Sequence, residues 1–199
     1  MSSSIALQAF IDHCPPSGPL VKADDALLRR YRGLLPDTLL ELWSVHGFGL
    51  YAGGLLQLVN PDDYKAALYE WLMYDEEDPS RLPIAVSAFG KLFYYRRLTE
   101  TDEDISCIDP EDREGSALVC AWSLDEFFRE WLTDPAFAGS ALDQALFDEA
   151  VSLHGPLAPG QVFCFTPSLR LGGRRDARHV AKGDAAVHLH LLYEIATGG

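Results

Sequence analysis

Two histidines, His188 and His190, stand two residues apart in the run V-H-L-H-L, and paired imidazoles are common ligands of zinc. On a helix this spacing turns the rings about 200° from one another, whereas helical ligand pairs need three or four residues between them. On a strand they would share a face. Residues 184–196 carry a mostly apolar helical stripe, so the segment reads as a helix with two independent histidines. A second candidate is Leu171-Gly172-Gly173-Arg174-Arg175, whose glycines expose backbone N–H groups and whose arginines can fork onto phosphate. Neither G-x-x-x-x-G-K-[ST] nor G-x-G-x-x-G is present, and a tight turn is the simpler account. There is no G-x-S-x-G elbow and no H-E-x-x-H pair. These patterns give no reason to expect a metal, a cofactor or catalysis.

The carboxylates are the stronger signal. They form the runs Asp75-Glu76-Glu77-Asp78 and Asp102-Glu103-Asp104, then the group Asp109, Glu111, Asp112 and Glu114. Oxygen ligands suit calcium or magnesium, but no EF-hand spacing occurs, which leaves a solvated acidic face or an interaction surface. Over all 199 residues the formal charge is −14, and residues 62 to 150 hold 22 of the 30 acids against 7 of the 16 basic groups. The middle therefore carries −15 and the flanks together +1. Such a field repels nucleic-acid phosphate and attracts basic partners, and salt weakens it. Direct nucleic-acid binding is not expected. Asp75, Glu76, Glu77, Asp78, Asp102, Glu103, Asp104, Glu111, Asp112 and Glu114 are the candidate partner contacts, with the first two runs expected in exposed loops.

Cys14, Cys107, Cys120 and Cys164 form no C-x-x-C pair, so they read as free thiols in a reducing compartment. The N-terminus lacks the basic segment of a secretory signal, and the two charge-free stretches, Leu42 to Pro61 and Ala150 to Leu169, are interrupted by glycines, prolines and polar groups. A cytoplasmic protein without a membrane span is expected.

The elements that must position these groups follow from periodicity. Residues 4–13 form a short helix, with Ile5, Ala6, Ala9 and Phe10 on one face, halted by Pro15-Pro16-Ser17-Gly18-Pro19. Residues 24–32 add a turn or two of helix, and a further helix begins near Pro36 and ends at Gly47. Leu55 to Val59 fits a strand. Asn60-Pro61-Asp62-Asp63 then caps a helix whose Tyr64, Ala67, Leu68, Trp71 and Leu72 share a face. Strands are expected at 82–89, 91–98, 105–108 and 117–121, joined by short loops as an antiparallel sheet with one face buried. Ser123-Leu124-Asp125-Glu126 is a capping box, a helix runs over 141–153, and 161–165 is a strand. The class is α+β: a short antiparallel sheet with flanking helices in residues 1–120, then a smaller, mostly helical domain in residues 121–199.

From Gly155 to Gly173, through Phe165-Thr166-Pro167 and Leu171-Gly172-Gly173, and on to Val187-His188-Leu189, the chain resembles the C-terminal domain of type VI secretion DNase-immunity proteins. The N-terminal half, with Leu35-Pro36-Asp37, Leu42-Trp43, His46-Gly47-Phe48-Gly49 and the Asn60-Pro61 helix start, is similar to the GAD-like domain that commonly precedes it. The L-P…W…G opening is also similar to the SMI1/KNR4-like immunity group, although the C-terminal match favours the first family. The resemblance implies a protein that neutralises a cognate toxin, often a nuclease, by binding it, and it implies structural roles for the motif glycines and prolines. An acidic inhibitor could then cover a basic, phosphate-binding toxin surface. The rival readings are a small hydrolase or nucleotide-binding enzyme that uses the carboxylates or Leu171 to Arg175, and a regulatory scaffold without a toxin.

Overall fold

The computed structural model describes residues 5–113 and 117–198. Glu114 therefore lies outside the described residues, as do the side chains of Ile5 and Ala6. The chain opens with three short helices, α1 (Ile5–His13), α2 (Asp25–Tyr31) and α3 (Asp37–Val45), and the strands β1 (Gly49–Tyr51) and β2 (Leu56–Leu58). Helix α4 (Pro61–Leu72) follows, with Pro61 in its first turn and the Asn60 side chain accepting from the Asp62 N–H. Four more strands, β3 (Arg81–Ser87), β4 (Leu92–Arg97), β5 (Glu103–Ile108) and β6 (Leu118–Ala121), complete an antiparallel sheet in the order β1-β2-β3-β4-β5-β6. Every connection is to the next strand, so the sheet is a meander.

Both faces of this sheet are covered, which corrects the expectation of a half-buried one. Successive β4 residues alternate between two hydrophobic clusters: Phe93 and Tyr95 belong to one, Leu92 and Tyr94 to the other. The continuous apolar run Leu92 to Tyr95 is the mark of a strand buried on both sides.

The C-terminal half supplies much of that cover. Its first helix starts as α5 (Leu124–Glu126) and continues as a π-helical turn over Phe127–Trp131. The Ser123 hydroxyl accepts from the Glu126 N–H at 3.0 Å, as the capping box foretells, but the Glu126 carboxylate reaches one residue further back, to the Trp122 N–H at 2.8 Å. Helix α7 (Gln144–His154) stands where one is expected over 141–153, starting after Asp143, which adopts a left-handed conformation at φ 57°, and a separate short helix, α6 (Pro135–Ser140), precedes it. Strand β7 (Gln161–Phe165) pairs with β8 (Val180–Asp184), and α8 (Ala185–Thr197) closes the fold.

One core runs across the two sequence halves. Phe10 of α1 meets Phe128 at 4.8 Å and Tyr51 at 5.4 Å, Phe93 meets Phe127 at 5.5 Å, and Phe89 stacks on Phe165 at 5.6 Å. On the opposite face, Leu68 of α4 and Leu189 of α8 cover Val86, Leu92 and Tyr94. Among the described residues, no helix is long and apolar enough to cross a membrane.

Candidate partner interface

The antiparallel order decides which acids meet. Strands β3 and β5 begin, and β4 and β6 end, at the same end of the sheet: Arg81 pairs with Arg96, Arg97 with Glu103, and Ile105 with Ala121. The loop 75–80, the turn 98–102 and the residues after Ala121 therefore share one end, and the Arg97 N–H donates to the Ser80 carbonyl at 2.8 Å. Residues 109–112 lie at the other end. Of the nine candidate contacts among the described residues, the fold groups the first two runs and separates Glu111 and Asp112 from them.

Within the shared end the side chains divide again. Asp75, Glu76, Glu77 and Asp102 are exposed. Asp78 is half-buried: it pairs with Arg81 and accepts from the Ser80 N–H at 2.9 Å and hydroxyl at 2.6 Å. Burial raises its pKa, but the Ser80 hydrogen bonds and the Arg81 charge outweigh this and hold it below the ordinary value. Glu103 accepts from the Tyr95 hydroxyl and from the Leu124 N–H, both at 2.9 Å, so it ties the sheet to the start of α5. Asp104 is fully buried and takes a two-pronged contact from Arg96, at 2.8 and 2.5 Å, with the Ser106 hydroxyl at 3.0 Å. Glu103 and Asp104 thus lie on β5 rather than in an exposed loop, which corrects that expectation. The β4–β5 hairpin sets Arg96 opposite Asp104, a pairing available from the sequence once the turn at 98–102 is recognised.

At the far end Glu111 is buried, another departure from a surface contact. Its Oε2 accepts from the Ser168 hydroxyl at 2.7 Å and the Leu169 N–H at 2.8 Å, while Arg170 donates to the carbonyls of Pro110 and Asp112. Its Oε1 faces His188 Nε2 at 3.7 Å, and neither atom has a hydrogen-bond partner among the described residues. Burial raises the Glu111 pKa and lowers that of His188 to about 4. Asp112 remains exposed. This end is a clamp between the β5–β6 connection and the C-terminal half.

His190 projects from α8 to a different neighbour, Glu70, at 3.0 Å, and hydrogen bonding to that carboxylate raises its pKa. The two histidines are therefore independent, as their helical spacing predicts, and the described residues contain no group of three or more His, Cys, Asp or Glu placed to hold a metal ion. Gly172 closes a short 3₁₀ turn at φ 86°, and a Cβ on Gly173 would lie 1.8 Å from the Pro167 carbonyl oxygen, so Leu171-Gly172-Gly173 serves a backbone turn. All four cysteines are free. The fold brings Cys107 of β5 and Cys120 of β6 into side-chain contact: the hydrogen bond from Cys120 lowers the Cys107 pKa, and Cys107 raises that of Cys120. A groove of about 470 Å³ runs between residues 21–30, β2 and the start of α4; its charged lining is Lys22, Asp24, Arg30 and Asp63.

Residues 6–108 match the family model of the GAD-like domain, which spans more than half of the chain. The chain belongs to the GAD-like family. In this GAD-like protein residues 121–196 match a second model, described as T6SS immunity protein Tdi1, C-terminal, so the two domains follow one another in the order that the motifs imply. No curated protein sequence matches the chain. Among solved structures, the crystal structure of Atu4351 from Agrobacterium tumefaciens is similar over 96% of this chain and 89% of that one, with a TM-score of 0.69 and 20% identity, a likeness of fold. In the GAD-like half, Arg96 and Arg81 neutralise acids that the sequence presents as part of open runs. Sequence reasoning missed β1, β8 and the Glu111 clamp. The only local hint of the clamp was a serine just after Phe165-Thr166-Pro167, which could not name its partner 57 residues away.

Proposed function

We propose that this protein is an immunity protein of a type VI secretion system, which neutralises a cognate toxin by binding it stoichiometrically and without catalysis. The observation that carries this reading is the Tdi1-type C-terminal domain, matched over residues 121–196 and sharing one core with the GAD-like half. The toxin is a nuclease with a basic surface. Asp75, Glu76, Glu77 and Asp102, supported by Asp78, present carboxylates at one end of the sheet where that surface expects phosphate, and a toxin so covered cannot hold nucleic acid. Inhibition takes place in the cytoplasm, where nucleic acid would otherwise be cut.

The test co-expresses the chain with the product of the adjacent open reading frame. The expected result is a stoichiometric complex, loss of nuclease activity in proportion to bound inhibitor, and survival of cells that die when the neighbour is expressed alone. Turnover of a substrate by the isolated chain, or a neighbour that neither binds nor kills, would overturn the reading.

A further inference from the structure

The two edges of the six-stranded sheet are finished differently. At the β1 edge the chain covers itself: the Ser17 N–H donates to the Leu50 carbonyl at 2.8 Å, the Ala52 N–H to Pro15 at 3.0 Å, and Val21 and Phe48 exchange two bonds at 2.9 and 2.8 Å. At the β6 edge, no described segment pairs with the outer side. That edge is also apolar. Leu118 is 58% exposed, Val119 40% and Trp122 70%, the last an unusually open position for a tryptophan. An open strand edge with exposed apolar side chains is a liability that folds ordinarily blunt with charge, proline or a covering segment. Here the fold does so at one edge, whereas at the other the described residues supply only a bulge between β5 and β6.

We propose that the β6 edge is a docking surface for a basic protein partner, with Trp122 as its anchor and Leu118 and Val119, one on each face of the strand, as apolar contacts along it. Tryptophan, with tyrosine and arginine, is enriched among the few residues that dominate the energy of a protein interface. The surroundings select the partner's charge. Trp122 lies at the end of the sheet that carries Asp75, Glu76 and Asp102, and it is followed by Asp125, 56% exposed, so a seated surface meets carboxylates on its rim. Arg129 offsets part of this, at 3.5 Å from Asp125. A second copy is disfavoured as occupant for the same reason: it would bring another −15 middle region against the first. The proposal rests on the immunity reading and deepens it by naming where the toxin sits.

The experiment uses the full chain and the adjacent-gene product in an inactive form. The variants are Trp122→Ala and the double change Leu118→Thr with Val119→Thr, which keeps strand-forming residues on the edge. Melting temperature should change little, because Leu118 and Trp122 are more than half exposed and Val119 is partly so. The dissociation constant should rise by about tenfold or more for Trp122→Ala, mainly through faster dissociation. In the wild-type complex Trp122 emission should shift to shorter wavelength and resist acrylamide quenching, a change absent from Trp122→Phe. Tight wild-type binding with both variants unaffected would overturn this edge and leave the immunity reading standing. Failure of the wild type to bind would overturn both. Sedimentation of the isolated chain as a dimer that Trp122→Ala converts to monomer would assign the edge to a second copy instead.

Discussion

Two sets of carboxylates, the exposed Asp75, Glu76, Glu77 and Asp102 and the buried Glu111, stand at opposite ends of the central sheet and have opposite fates. At one end Asp75, Glu76, Glu77 and Asp102 stand in water and contribute to a field that reaches beyond the protein. At the other, Glu111 is drawn inside, where it accepts from Ser168 and Leu169 and joins the β5–β6 connection to the C-terminal half. What separates them is the cover supplied by residues more than fifty positions away. An acidic run is therefore not one kind of object. Its exposed members can be reversed at little cost to folding, while a buried member leaves its hydrogen-bond donors without a partner when it is removed.

The largest effect is expected at the clamped end. Gly173→Val places a side chain where even a Cβ would overlap the Pro167 carbonyl oxygen. It should cost about 4 kcal/mol or more, among the exceptional values for a single change. Thermal unfolding and cell protection would fall together. A Gly173→Val protein that melts normally yet fails to bind the toxin would move this turn from the structural end of the comparison to the functional one.

Next comes Glu111 itself. Glu111→Ala leaves the Ser168 hydroxyl and the Leu169 N–H without their acceptor and should destabilise by about 2 to 4 kcal/mol in denaturant unfolding. Glu111→Gln keeps an acceptor oxygen for both donors and can offer an amide N–H to the unpartnered His188 Nε2, so it should retain most of the stability. Equal losses in the two variants would show that charge, rather than acceptor geometry, holds the clamp.

His188 gives the clamp a pH dependence whose sign can be worked out. Its folded pKa lies below the ordinary value, at about 4, so the folded state binds this proton more weakly than the unfolded state. Its contribution is fully present above pH 6.5 and is lost as the pH falls towards 4, up to about 3 kcal/mol. Glu111 works in the other direction. Burial raises its pKa, so its contribution is present below about 4.5 and is lost as the pH rises through the raised value. The Glu111→Gln background removes that opposing proton, and there stability should fall more steeply between pH 6.5 and 4 than when His188→Asn is added. Superimposable profiles would show that the imidazole is free of the clamp.

Much of this architecture can be read before any coordinates, and the parts that cannot share a cause. Helix α4 announces itself through Asn60-Pro61 and the spacing of Tyr64, Ala67, Leu68 and Trp71, and α5 through Ser123 and Glu126, because caps and amphipathic faces are local. Strand β8 has no such signature: Val180-Ala181-Lys182-Gly183-Asp184 becomes a strand only by pairing with β7. The same holds for the candidate contacts. The sequence displays the charge of Asp104 and Glu111 but not the burial, since Arg96 is placed by hairpin register and Ser168 by tertiary packing. The openness of Trp122 is illegible for the converse reason, because a tryptophan at the end of a strand is ordinarily expected to be covered.

The smallest effect on stability and the most specific effect on function are expected at the solvated end. Asp75→Lys, Glu76→Lys and Asp102→Lys combined change the charge by six units at exposed positions, where Asp102 accepts from the equally exposed Thr99 hydroxyl at 2.8 Å. Unfolding free energy should therefore move by about 0.5 kcal/mol or less per position, as exposed substitutions do. Association with the inactive toxin should slow by about tenfold at low ionic strength, because steering acts over a range that added ions shorten. Dissociation should change far less, since the rim charges guide the encounter while the apolar contacts at Trp122 hold the complex. Rates measured across a salt series separate the two contributions: the reversed protein and the wild type should converge as salt rises, whereas Trp122→Ala should remain weaker throughout. If the reversed protein associates at the wild-type rate even at low salt, the carboxylates at this end serve solubility alone. The contact would then lie elsewhere, with the C-terminal surface around Arg174 and Arg175 the next region to reverse.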